Sequence, residues 1–325
     1  TLTVGILAAF IQLTRRFFQP LQDLAEKFNL LQSAMASSER IFKLLDEPVT
    51  VMDRGREPRA ESVVGREPGA RALGSGLSAS PRGEVEFHDV WFRYSDDGPW
   101  VLKGVSFTAA PGRTLALVGH TGAGKTTIIS LLLRFYEVTR GKITVDGVDI
   151  REIPLDELRR LIGFVQQDLF LFSGDILRNL VLDADISRER AEAAARRVGA
   201  DRFIERLPKG YHQVLGERGK GLSVGERQLL SFARALALDP TILVLDEATS
   251  SVDAEAEAQI QRALEELLVG RTCLVVAHRL STVLEADEIL VFHHGEIRER
   301  GDHRALLAQG GLYERLYRLQ LAGAA

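Results

Sequence analysis

The sequence predicts an α/β fold built around a mainly parallel sheet, and three observations carry that reading. Short apolar runs, "TLALVG", "GKITVDG", "TILVLDE" and "TCLVVAH", are separated by stretches of helical periodicity. One of them, "TLALV", runs straight into the glycine-rich "GHTGAGKTT" and then the apolar "IISLLLRF", an order of strand, loop and helix. The alternation is interrupted once, over residues 168–240, where "SGDILRNLVL", "RERAEAAARRVG" and "GLSVGERQLL" read as a helical insertion.

The elements follow in chain order. The chain opens on "TLTVGILAAFIQL", with no charge before Arg15. About 20 apolar residues are needed to cross a bilayer, so this run is short. It reads as the end of a membrane helix, with Arg15 and Arg16 marking its cytoplasmic side; a buried soluble helix is the competing reading. From Pro20, apolar residues at Leu21, Leu24, Phe28, Leu31, Met35, Phe42 and Leu45 have helical spacing with one narrow stripe, as for packing on a partner helix. That helix stops near Glu47, which precedes Pro48. The three expected segments are residues 1–47, the end of the last membrane helix with its cytoplasmic extension; 48–83, a linker rich in Gly, Pro, Ser and Arg; and 84–325, a compact domain. That domain begins with "EVEFHDVWFRY", where Val85, Phe87, Val90 and Phe92 alternate along a strand.

Composition narrows the chemistry. Of 325 residues, 45% are hydrophobic and 26% charged, ordinary for a globular core. A formal net charge of -4 gives no electrostatic footprint for nucleic acid. Cys273 is the one cysteine, so no disulfide forms within the chain, and its apolar surroundings predict a buried structural thiol.

Residues 119–126 fit G-x-x-x-x-G-K-[ST] in the strand–loop–helix setting that gives this motif its meaning, a P-loop. Successive amides at a helix N-terminus cradle phosphates, so Gly119, His120, Thr121, Gly122, Ala123, Gly124, Lys125, Thr126 and Thr127 are the candidate nucleotide cradle. Lys125 is expected at the β- and γ-phosphates and Thr126 at Mg2+. "ILVLDE" ends an apolar strand on two acids: Asp246 matches a Walker B acid for Mg2+, and Glu247 can polarise an attacking water. In "GLSVGERQLL", Ser223 and Glu226 form a capping box that starts a helix. The capping box does not explain Gly221 and Gly225, which weaken a helix.

With these motifs in place, the stretch from about Glu84 to Leu321 resembles the nucleotide-binding domain of an ABC (ATP-binding cassette) transporter. The resemblance implies a P-loop NTPase fold with an antiparallel β subdomain and a helical subdomain. "LSVGERQ" sits where that family has its signature, usually Leu-Ser-Gly-Gly-Gln, which places Ser223, Gly225 and Glu226 against the γ-phosphate of ATP held by the opposite subunit. The same likeness gives Tyr94 adenine stacking and Gln167 the Q-loop role toward Mg2+ and water, with Gln166 as the competing residue. It makes His278 the switch histidine and Asp253 the end of the D-loop. "GERG", with Glu217 and Arg218, resembles an exporter loop, or is a surface turn. The implied catalytic set is Glu247, His278, Lys125 and Gln167, the metal set Thr126, Gln167 and Asp246, and the cofactors ATP and Mg2+.

Two departures from the family pattern stand out: Val224 replaces the first signature glycine, and Glu226 replaces glutamine. Valine there favours a half-transporter paired with a different half-transporter over a homodimer. The implied protein is an ATP-hydrolysing exporter subunit in a membrane, its ATPase domain on the cytoplasmic side, acting in a head-to-tail dimer on an unnamed transported substrate and not on nucleic acid. A subunit that clamps ATP with little hydrolysis and an ABC-type ATPase acting on DNA are the alternatives. Glu247 argues against the first, and the short insertion and lack of a basic stripe against the second.

Overall fold

The computed structural model describes residues 4–47, 51, 77, 80–166, 170–182, 184, 186–216, 219–246, 254–276 and 283–323. The chain divides into two units, Thr1–Thr50 and Val51–Ala325.

The first unit is one helix, α1 (Val4–Leu45), 42 residues long. At 1.5 Å rise per residue it extends roughly 60 Å. The opening apolar run and the stripe after Pro20 therefore belong to one continuous element, with Pro20 inside it. No described residue of α1 is buried; Phe10, Phe17, Phe28, Met35 and Phe42 all lie open. Among the described residues, no helix is long and apolar enough to cross a membrane.

The second unit is organised by a six-stranded sheet. Its strands are β3 (Thr114–Gly119), β6 (Ile162–Val165), β9 (Ile242–Asp246), β10 (Thr272–Val276), β11 (Glu288–His293) and β12 (Glu296–Gly301), in the order β12-β11-β3-β10-β9-β6. Every pairing from β6 to β11 is parallel, and β12 is antiparallel to β11. Strands of a parallel sheet covered on both faces read as continuous apolar runs, which is why "LALV", "ILVL" and "CLVV" were legible. Alternate residues serve opposite cores. Leu115, Leu117, Val244, Leu274 and Leu290 join one apolar cluster, and Ala116, Val118, Leu245, Val275 and Val291 join the other.

The first cluster packs under an antiparallel sheet made of β1 (Val85–Phe92), β2 (Leu102–Ala109), β4 (Arg140–Val145) and β5 (Val148–Asp149), ordered β2-β1-β4-β5. "GKITV" is thus a strand as expected, but of this second sheet. The step of three between Phe87 and Val90 is absorbed by an irregularity in both ladders of β1, with Asp89 at φ 45°. Val85, Phe87, Val90 and Phe92 all stay buried.

The second cluster packs under the helices of the insertion: α4 (Ile176–Val181), α5 (Arg188–Arg197), α6 (Asp201–Ile204) and α7 (Val224–Ala237). A two-stranded piece, β7 (Gly174–Asp175) with β8 (Val214–Leu215), lies within this region. Arg234 of α7 locks it to α4. Its guanidinium donates to the carbonyls of Asn179 (2.8 Å) and Phe170 (3.1 Å) and to Asn179 Oδ1 (3.2 Å), and burial pulls its pKa down to about 10. Cys273 is buried as expected, its thiol pushed up to about 12 by desolvation.

Candidate functional site

The glycine loop leaves β3, the third strand of the large sheet, and enters α2 (Lys125–Leu132). The helix starts on Gly124, whose φ of 105° lies in the left-handed region. A Cβ there would also meet Leu102 Cδ2 at 2.7 Å, so both conformation and space require glycine. No side chain caps this end. A helix N-terminus carries several unpaired amides and partial positive charge, so an uncapped one behind a glycine loop suits an anion.

Lys125 supplies the cation. Its side chain is buried and Nζ donates to the carbonyls of Gly119 (2.6 Å) and His120 (3.0 Å), folding back across the loop. Burial lowers its pKa below that of a free lysine, and the negative charge of Asp246 partly offsets this. His120, Thr121, Gly122 and Thr126 are exposed along the loop, whereas Ala123, Gly124 and Thr127 are buried. Asp246, at the end of β9, is 8% exposed.

The carboxyl ends of β6, β9, β10 and β3 lie side by side. Val276 is in register with Asp246 and with Leu117, and Val165 with Leu245. The carboxyl ends of these strands thus share one end of the sheet, the usual place for a ligand in an open α/β fold. Gln167, Glu247, Asp253 and His278 lie outside the described residues, as do Glu217 and Arg218. Gln166, just after β6, is described and exposed.

Tyr94 stands two residues beyond β1, 55% exposed, with its hydroxyl 3.1 Å from Thr127 Oγ1. That hydrogen bond ties the ring to the first turn of α2. Sequence reasoning missed a second support: the turn between β11 and β12, where the Gly295 amide donates to the Ala123 carbonyl at 3.2 Å. "FHHGE" between two apolar-polar runs was the available signal for that hairpin.

The second candidate cluster lies at the start of α7. The capping box is present in full: the Glu226 amide donates to Ser223 Oγ (3.2 Å), and the Ser223 amide donates to Glu226 Oε2 (2.8 Å). Gly221, at φ 105°, needs no explanation beyond the turn it makes. Ser223, Gly225 and Glu226 line a cleft of about 440 Å³ together with Arg202, Phe203 and Arg206. None of residues 119–127 lines it. Tyr94, Lys125, Thr127 and Asp246 therefore gather around one helix end, and Ser223, Gly225 and Glu226 around another.

The profile of the ABC transporter family matches residues 102–250. The chain is 46% identical over 319 residues to the "Probable multidrug resistance ABC transporter ATP-binding/permease protein YheH" of Bacillus subtilis (strain 168), covering 98% of this chain and 44% of that one. The chain carries the ATP-binding domain of the ABC transporter family. It is an ATPase domain of mixed parallel and antiparallel sheets. The "Fatty acid ABC transporter ATP-binding/permease protein" of Mycobacterium bovis (strain ATCC BAA-935 / AF2122/97) is 44% identical over 318 residues, 98% of this chain and 47% of its own length. A solved structure titled "Structure of a bacterial Atm1-family ABC exporter with ATP bound" superposes with a TM-score of 0.72 at 36% identity, over 98% of this chain and 53% of that chain. The chain thus spans about half the length of the relatives it matches.

Proposed function

We propose that this chain is the ATP-hydrolysing part of an ABC exporter subunit and couples Mg-ATP binding and hydrolysis to movement of membrane helices. Residues 1–47 extend a membrane domain into the cytoplasm, 48–83 link it, and 84–325 hydrolyse ATP on the cytoplasmic side. The observation that carries the reading is the uncapped α2 end with a buried lysine folded over it and Asp246 at the end of β9, two strands along the same sheet from β3.

ATP fits this place through its phosphates. On arrival of a polyphosphate, Lys125 exchanges two carbonyl acceptors for anionic oxygens, and the loop amides turn to the same charge. Tyr94 takes the base. Magnesium fits the chemistry of the donors: Thr126 hydroxyl, Asp246 carboxylate and Gln167 would hold it as hard oxygen ligands, and it would neutralise phosphate charge. Glu247 accepts a proton from the attacking water, and His278 contacts the γ-phosphate. Catalysis then rests on positioning and electrostatic stabilisation more than on covalent chemistry.

Ser223, Gly225 and Glu226 stand at a different helix end, in a cleft of their own. That supports a head-to-tail dimer in which each chain lends this end to ATP held by its partner. The partner is a second half-transporter, and Val224 favours a different one over a second copy. The structural likeness to a bacterial Atm1-family ABC exporter with ATP bound agrees with this reading.

The decisive experiment is Glu247→Gln. ATP affinity should stay near wild type, turnover should fall at least about 100-fold, and an ATP-bound dimer should persist through size-exclusion chromatography. Wild-type hydrolysis in this variant would remove Glu247 from its role.

A further inference from the structure

Tyr136 belongs to none of the motifs that pointed to the nucleotide, yet it meets Tyr94 in space. Phe92, Tyr94 and Tyr136 form a triangle of rings. Centroids are 4.9 Å apart for Phe92–Tyr94, 5.7 Å for Phe92–Tyr136 and 5.1 Å for Tyr94–Tyr136, the last pair at 86°. Phe92 is the buried corner, whereas Tyr94 and Tyr136 remain 55% and 42% exposed.

The mounting of Tyr136 is rigid for so exposed a ring. It follows Arg134, a non-glycine residue at φ 50°, whose buried guanidinium donates to the carbonyls of Ile150 (3.0 Å) and Ile153 (3.1 Å) and to Glu137 Oε1 (2.9 Å). The Phe135 amide donates to the Ser130 carbonyl at 2.9 Å, and Arg159 lies over the Phe135 ring at 5.6 Å. Residues on both sides of Tyr136 are therefore anchored, and the ring is presented outward at one place. Tyr94 in contrast sits in a loop beyond β1, held by one hydroxyl contact to Thr127 and by its two aromatic neighbours. A stacking ring helps a base only if its plane is set in advance, since ordering it on binding costs affinity.

We propose that Tyr136 is a positioning residue for the nucleobase: its ring, held by the Arg134 turn, sets the plane in which Tyr94 meets adenine. The proposal rests on the ATP-site reading above. Beyond that reading, part of the base affinity comes from a residue just past the C-terminal end of α2. The ring does the positioning, so phenylalanine should serve as well.

The test measures ATP and tripolyphosphate binding by calorimetry on the full chain and on Tyr94→Ala, Tyr136→Ala, Tyr136→Phe and the double alanine variant, each checked for an unchanged melting temperature. Tyr136→Ala should weaken ATP about 3- to 10-fold, the range of one aromatic pair, and leave tripolyphosphate unchanged. Tyr136→Phe should bind as wild type. The double variant should bind no more weakly than Tyr94→Ala alone, because one ring acts through the other. Unchanged ATP affinity in Tyr136→Ala beside a loss in Tyr94→Ala overturns the proposal and leaves the ATP site standing. Fully additive losses, an equal loss of tripolyphosphate, or a Tyr136→Ala variant that melts early also overturn it. If wild type binds no ATP, or Tyr94→Ala binds it unchanged, the site reading fails and the proposal with it.

Discussion

Two helix ends of this chain begin on a glycine-flanked turn, and their first residues are treated in opposite ways. The start of α2 has a left-handed Gly124 as its cap residue, no side-chain cap and a buried lysine folded across the loop. The start of α7 has Ser223 and Glu226 closing a reciprocal capping box. At α2 the amides and the cation are left for a ligand. At α7 two amides are already satisfied from within the chain, and what remains is a cleft lined by Gly199 and Gly225 beside Arg202 and Arg206. On the proposed reading, α2 binds nucleotide within one chain and α7 completes the site of its partner.

The largest effect should come from breaking the first end. Lys125→Ala removes the one side-chain cation of the loop, and charge-assisted hydrogen bonds to phosphate oxygens are lost with it. ATP affinity should fall at least about 100-fold by calorimetry, since two hydrogen bonds to charged groups contribute about 3–6 kcal/mol. Folding should be kept, since Lys125 is bonded here only to two loop carbonyls. Unchanged affinity would mean that α2 is an ordinary helix start and the contrast with α7 is void.

The second end should respond differently. Ser223→Ala deletes the cap oxygen and leaves the Glu226 amide unpaired, at a cost of about 1 kcal/mol in folding stability. Urea denaturation should show that loss, while monomer ATP affinity stays as it was, because α2 and its lysine are untouched. Dimerisation in ATP should weaken by several-fold. A drop in monomer affinity would show that the two helix ends serve one site within a single chain.

Legibility in the sequence followed the same division. The glycine loop, the apolar strands β3, β9 and β10, and the Ser223–Glu226 box were readable because each is local: a motif, a period or a spacing of three. "GKITV" read as a strand but not as one of the antiparallel sheet, since partner strands are chosen by burial against Phe87 and Phe107 and not by local pattern. β11 and β12 form a hairpin whose turn supports Ala123, a contact that depends on parallel pairing of β11 with β3 over long sequence separation. Tyr136 had no signal at all. Its ring meets Tyr94 only because an irregular β1 and the left-handed Arg134 carry two distant loops together. The apolar stripe of α1 was readable, but its continuity through Pro20 was not, because a proline inside a helix usually marks a break.

The smallest effect is the most informative about the second end. Glu226 stands where the family has glutamine, and two forces act on it. Its carboxylate accepts the Ser223 amide at 2.8 Å, so the charge is turned back into the cap and away from the approach. Arg202 and Arg206 line the same cleft and offset the charge further. A bare carboxylate 4 Å from a phosphate oxygen at surface-like dielectric would cost about 4 kcal/mol, enough to abolish a dimer. Turned inward and flanked by two cations, it should cost a small fraction of that. Glutamine can make the same capping bond without the charge, so Glu226→Gln should leave the denaturation midpoint within about 0.5 kcal/mol of wild type. ATP-driven dimerisation, measured in a Glu247→Gln background, should tighten by about 2- to 3-fold at low salt. At 0.5 M salt the gain should shrink toward nothing, because the Debye length falls to roughly 4 Å and the residual repulsion is screened. A dimer that weakens instead would mean that the carboxylate grips a cation on the partner chain, and α7 would then be a charged contact as well as an approach for phosphate.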